Sequence, residues 1–86
     1  MFEVILSPEA RAFYAGVDQP LAKKLARCFA QLEHNPRRHN NIKRLSGELV
    51  GQFRYRLGDW RVIYRIDDDN QRVLVDDIAH RREVYE

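Results

Sequence analysis

Apolar residues recur along this chain with more than one period, and each period marks an element. Phe2-Glu3-Val4-Ile5-Leu6 is a short, largely apolar run that predicts a strand. Ser7-Pro8-Glu9 follows with the pattern of a helix start: a hydroxyl able to cap, a proline for the first helical position and an acid near the positive end of the helix dipole. Ala10, Phe13, Tyr14 and Val17 come at three- and four-residue spacing, so a first helix is expected to about Gly16. Asp18-Gln19-Pro20 restarts a helix, in which Leu21, Leu25, Cys28, Phe29 and Leu32 form one apolar stripe opposite Lys23, Lys24, Arg27, Gln31 and Glu33. Asn35-Pro36 ends it. Helices joined this closely predict an antiparallel hairpin across a sheet. Residues 37–51 keep no strong period and read as a loop.

From Gln52 the period is two. Phe53, Tyr55 and Leu57 alternate with Gln52, Arg54 and Arg56, and Trp60, Val62, Tyr64 and Ile66 alternate with Arg61, Ile63 and Arg65. Gly58-Asp59 between them is a two-residue hairpin signal, which fixes the register: Leu57 opposite Trp60, Arg56 opposite Arg61, Tyr55 opposite Val62, Arg54 opposite Ile63 and Phe53 opposite Tyr64. Directly opposed residues share a face. One face is therefore aromatic and aliphatic, and the other carries Arg54, Arg56, Arg61 and Arg65. A turn at Asp67–Asn70 leads to a last strand, Arg72 to Ile78, and a tail, His80-Arg81-Arg82-Glu83-Val84-Tyr85-Glu86. The class expected is α+β: an N-terminal strand, a helical hairpin and an antiparallel three-stranded meander completing a twisted sheet.

Composition changes this picture little. At 86 residues, with no repeat or linker, one domain over 1–86 is expected, and 44% apolar with 33% charged residues is ordinary globular usage. A formal charge of +2 is too small to argue for nucleic acid by itself, so position must carry that case. The lone Cys28 allows no internal disulfide. No run reaches the length of a signal-peptide core or a membrane span, so the expectation is a cytoplasmic chain with no membrane partner.

The arginine face is the chemical feature. Like charges directly across a strand pair repel by roughly 0.2–1 kcal/mol, and Arg54, Arg56 and Arg61 cluster with no acid in the alternating pattern; Asp59, at the turn, is the nearest. A guanidinium is a planar donor fork that matches phosphate oxygens and stays charged. A bound polyanion explains the cluster; a solvated face or a docking surface for an acidic partner is the plainer alternative. His34, His39 and His80 lack zinc-ligand spacing, there is no phosphate-binding glycine loop, and no cofactor or metal is implied.

Taken in order, the strand, the helical hairpin, Lys43-Arg44-Leu45-Ser46-Gly47, the run Phe53 to Ile66 and the tail His80-Arg81-Arg82-Glu83-Val84-Tyr85 resemble the RelE branch of the RelE/ParE bacterial toxins over nearly the whole chain. The resemblance implies a fold like that of microbial ribonucleases, a cognate antitoxin as partner, and ribosome-dependent cleavage of mRNA in the A site by attack of a 2′-OH on the adjacent phosphate. It assigns Arg61, Arg81 (or its neighbour Arg82) and Tyr85 to catalysis and Arg54 and Arg56 to the RNA phosphates. Lys43 and Arg44 are added to the phosphate contacts, and His80, the one side chain near the tail whose ordinary pKa suits acid–base work, is a further catalytic candidate. The best-known members carry lysines where Arg54 and Arg56 stand; arginine grips phosphate but does not serve as a base. A gyrase inhibitor of the ParE kind, or an inactive relative that only partners an antitoxin, stands as the alternative.

Overall fold

The computed structural model describes residues 1–84. In chain order its elements are strand β1 (Glu3–Leu6), helix α1 (Pro8–Gly16), helix α2 (Gln19–His34), strand β2 (Ile42–Arg44), a 3₁₀ turn (Gly47–Leu49), strands β3 (Phe53–Leu57), β4 (Trp60–Asp67) and β5 (Arg72–His80), and a second 3₁₀ turn (Arg81–Glu83). The helix starts are those the sequence signals. Ser7 Oγ accepts the Ala10 amide at 3.0 Å and Asp18 Oδ1 accepts the Leu21 amide at 3.0 Å, each satisfying a donor that the first turn leaves unpaired.

The strands form one mixed sheet in the order β1-β5-β4-β3-β2. β1 runs parallel to β5, and the other neighbours are antiparallel. The α+β architecture is as expected, with two differences of extent. Residues 37–51 contain an edge strand, β2, which pairs with β3 through Ile42–Tyr55, Lys43–Arg54 and Arg44–Phe53. β5 continues past Ile78 to His80 because Ala79 and His80 still find partners in Arg61 and Trp60.

The helices cover one face. Leu25, Cys28 and Leu32 of α2 and Ala10 of α1 are fully buried against Val62, Tyr64, Val73 and Val75 of the sheet. Phe13 meets Trp60 at 5.0 Å, and Tyr14 meets Phe29 edge-on at 5.4 Å. The aromatic residues of the hairpin are thus core, as their alternation indicates. Tyr64 is wholly buried, and its hydroxyl donates to the Pro36 carbonyl at 2.6 Å, which closes the chain after α2 onto the sheet. Burial pushes the pKa of that hydroxyl well above the ordinary tyrosine range, so it stays protonated and remains a donor.

One irregularity shapes the other face. Ile63 pairs with Asp77 and Tyr64 with Val75, so Asp76 is an extra residue bulged out of β5. Its carbonyl accepts the Ser7 hydroxyl at 2.8 Å, tying the bulge to the start of α1. Past the bulge the alternation changes phase: Val73 and Val75 face the helices before it, and Ile78 does so after it.

Candidate functional site: a cationic sheet face

The β3–β4 hairpin builds the site. Gly58 has φ +61° while Asp59 does not take a positive φ, the type II′ arrangement whose twist suits a two-residue hairpin. The resulting register is the one the turn predicts at all five positions, Phe53–Tyr64 through Leu57–Trp60. It sets Arg56 directly opposite Arg61, while β2 adds Lys43 opposite Arg54. Four cationic side chains from three adjacent strands therefore share the face turned away from the helices.

They are held differently. Lys43 and Arg56 are exposed, while Arg54 is half-buried with Nη1 donating to the Asn41 carbonyl at 2.5 Å. Arg61 is only 9% exposed. Its Nη1 donates to the carbonyls of Gly58 at 2.8 Å and Trp60 at 2.9 Å, so the hairpin turn itself fixes this guanidinium. Arg81 approaches the same turn from the end of β5: its amide donates to the Asp59 carbonyl at 2.8 Å and its Nε lies 3.6 Å from Asp59 Oδ1. Arg61 and Arg81 thus converge on Gly58-Asp59.

Other positions fall elsewhere. Arg65, counted with the arginine face by alternation, is neutralised by a bidentate pair with the bulged Asp76, at 2.8 and 2.9 Å, which drives the guanidinium further into its charged form. The face does carry an acid, then, one that strict alternation does not reveal. Arg44 lies on the opposite face, its guanidinium 5.6 Å from the Phe53 ring centroid. His80, opposite Trp60, also turns to the helix side: the two rings meet edge-on at 5.3 Å, and Nδ1 accepts the Arg82 amide at 3.3 Å. Tyr85 lies outside the described residues. Among the described residues no three His, Cys, Asp or Glu side chains gather as a metal site.

Sequence reasoning missed the acids of this face, Asp76 and Asp77. A signal was present: Val75 and Ile78 are three apart, and both face the core only if one residue between them is bulged out.

A family model described as the ParE toxin of the type II toxin–antitoxin system matches residues 4–85. The chain is 37% identical over 65 residues to the toxin RelG of Mycobacterium tuberculosis (strain ATCC 25618 / H37Rv), covering 76% of this chain and 72% of that one. It belongs to the RelE/ParE family of type II toxins. The toxin RelE of the same organism is 39% identical over 72 residues, covering 78% of this chain and 72% of its own. The RelE-like fold is shared with the toxin in the RelBE2 complex of Mycobacterium tuberculosis, at a TM-score of 0.79, 26% identity and coverage of 92% and 96% of the two chains. The archaeal RelE–RelB complex of Pyrococcus horikoshii OT3 matches at a TM-score of 0.81 with 19% identity, covering 96% and 98%. The curated relatives named here are RelE-type toxins, and the family model carries the ParE description.

Proposed function

We propose that this toxin is an endoribonuclease that cleaves mRNA on the ribosome. The observation that carries the reading is the set Lys43, Arg54, Arg56 and Arg61 on one sheet face, with Arg61 anchored at the hairpin turn. A fixed, mostly desolvated guanidinium stabilises developing phosphoryl charge better than a mobile one, because no reorganisation is needed when the charge appears. In the reaction the 2′-oxygen forms a bond to the adjacent phosphorus, the bond from phosphorus to the 5′-oxygen breaks, and a cyclic phosphate remains. The 2′-OH proton goes to a base, and the departing 5′-oxygen takes up a proton.

Arg61 and Arg81 are assigned to the developing phosphoryl charge, a reading supported by their shared approach to the hairpin turn. Lys43, Arg54 and Arg56 grip the backbone. Tyr85 is assigned to proton transfer or base stacking, as in the family pattern. His80 is withdrawn from the chemistry, because its ring faces Trp60 and its Nδ1 is engaged by Arg82. Since arginine is not a proton acceptor, this site relies on the ribosome to orient the 2′-OH. The family also implies an antitoxin encoded beside the toxin; both solved relatives named above are toxin–antitoxin complexes.

The ParE description keeps gyrase inhibition as the second reading. Single-turnover cleavage of ribosome-bound mRNA, run beside a gyrase supercoiling assay, decides between them. Cleavage within the translated frame supports the nuclease, and blocked supercoiling with intact message overturns it.

A further inference from the structure

Beside the cationic face lies a cavity of about 210 Å³. Its apolar lining comes from Leu49, Ile63, Ala79 and Val84, and its polar rim includes the carboxylates of Asp77 and Glu83. Ile63 and Ala79 are 7% and 5% exposed although they belong to the sheet face that helices do not cover. The 3₁₀ turn at Leu49 and the residue after the second 3₁₀ turn, Val84, wall this patch. The register ties it to the arginines. One row across the sheet reads Lys43, Arg54, Ile63, Asp77, and the next reads Arg56, Arg61, Ala79. Adjacent strands are about 4.8 Å apart, so Asp77 stands about 10 Å across the sheet from Arg54. A phosphate held on the arginines leaves the base of its nucleotide within reach of Ile63.

We infer that this cavity is a nucleobase subsite, selective for bases bearing an exocyclic amino group; the inference rests on the ribonuclease reading. The floor suits a flat ring, and the volume lies below the 300–1,000 Å³ typical of drug-sized ligands. Asp77 Oδ1 already accepts the Ile78 amide at 2.9 Å, which fixes the carboxylate at the rim. Ionised carboxylates only accept hydrogen bonds, so they match the amino groups of adenine, cytosine or guanine and meet the carbonyls of uracil with repulsion. A basic side chain of a protein partner would also suit a carboxylate, but it would have to enter beside Lys43, Arg54, Arg56 and Arg61. A neutral base does not meet that barrier.

The test uses the purified chain and 2′-O-methyl oligonucleotides of A, C or U, which bind without being cleaved. The A and C oligomers are expected to bind about tenfold more tightly than U, as one hydrogen-bonded base contact commonly gives. The double variant Asp77→Asn, Glu83→Gln, checked for folding by circular dichroism, is expected to bring the three affinities together. Equal binding by the wild-type chain, or a preference that survives the double variant, overturns the subsite. So does a double variant that keeps the base preference and loses its antitoxin, which assigns the cavity to a protein. Wild-type protein that cleaves no ribosome-bound message counts against the nuclease reading instead, and the oligonucleotide preference is read independently of it.

Discussion

Arg61 is buried against its own hairpin turn. Its face and its partner Arg56 follow from the two-residue turn, but its burial does not, because alternation gives direction and says nothing of depth. The side chain holds the turn carbonyls of Gly58 and Trp60, and the proposed nuclease reading gives it a second task, meeting phosphoryl charge. Arg61→Ala is therefore expected to lower cleavage about 10²–10³-fold and also to destabilise the hairpin by about 0.5–1.5 kcal/mol for each lost hydrogen bond. Arg61→Lys keeps the charge and loses the fork. Rates from single-turnover cleavage, set beside urea midpoints of the same proteins, separate the two effects; an alanine variant of wild-type rate removes Arg61 from the chemistry. Cys28 gives a simpler case. Burial pushes its thiol from 9.0 up to about 12, so in the folded chain it stays protonated and shielded. A raised folded value contributes stability below the unfolded value, and that contribution is lost as pH climbs from about 9 towards 12. Cys28→Ala should flatten this part of the alkaline stability curve, and iodoacetamide should label Cys28 only at the rate of unfolding.

At the level of elements, legibility followed the strength of the local signal. The two helices have caps and a continuous apolar stripe, and the β3–β4 hairpin has a turn that admits one register. All three stand where the pattern puts them. β2 has three residues, of which Ile42 alone is apolar, so no period exists to be seen; its strand character comes from pairing with β3. The β5 bulge hid the pair between Asp76 and Arg65 for a related reason, since a period-two reading assigns the two aspartates to opposite faces. The hairpin also carries an element-level prediction. A Cβ at Gly58 would meet nothing within 4 Å, so the penalty there is torsional and not steric. Gly58→Ala, at φ +61°, should lower stability by about 1 kcal/mol or more. It should reduce cleavage too, because Arg61 and Arg81 both take their positions from this turn. Thermal melts and cleavage rates should fall together, and a variant that melts lower at full activity would detach the turn from the site.

For the molecule as a whole, a net charge of only +2 coexists with a strongly cationic face because the remaining charges are mixed and several arginines are already neutralised. Arg37 is locked to Asp68 at 2.7 and 2.9 Å, and Arg65 to Asp76. Salt dependence should therefore register the exposed arginines of the sheet face and not those already paired with an acid. Each phosphate neutralised on a single strand contributes about −0.7 to the slope of log affinity against log salt. Arg56→Gln should make that slope shallower by about this amount, and Arg65→Gln should leave it unchanged; equal effects would place the RNA elsewhere. The strand order has a consequence of its own, in time. β5 is the last of the five strands to leave a ribosome, yet it lies between β1 and β4. Until it arrives β1 has no hydrogen-bonded neighbour, and β3 and β4 have little more than a hairpin and a short edge, which is marginal in water. Arg81 and the Ala79 neighbour of Arg61 arrive on the same late segment. A nascent copy thus carries the arginines of β3 and β4 without the scaffold that aims them, and the cationic face is organised only once β5 has emerged.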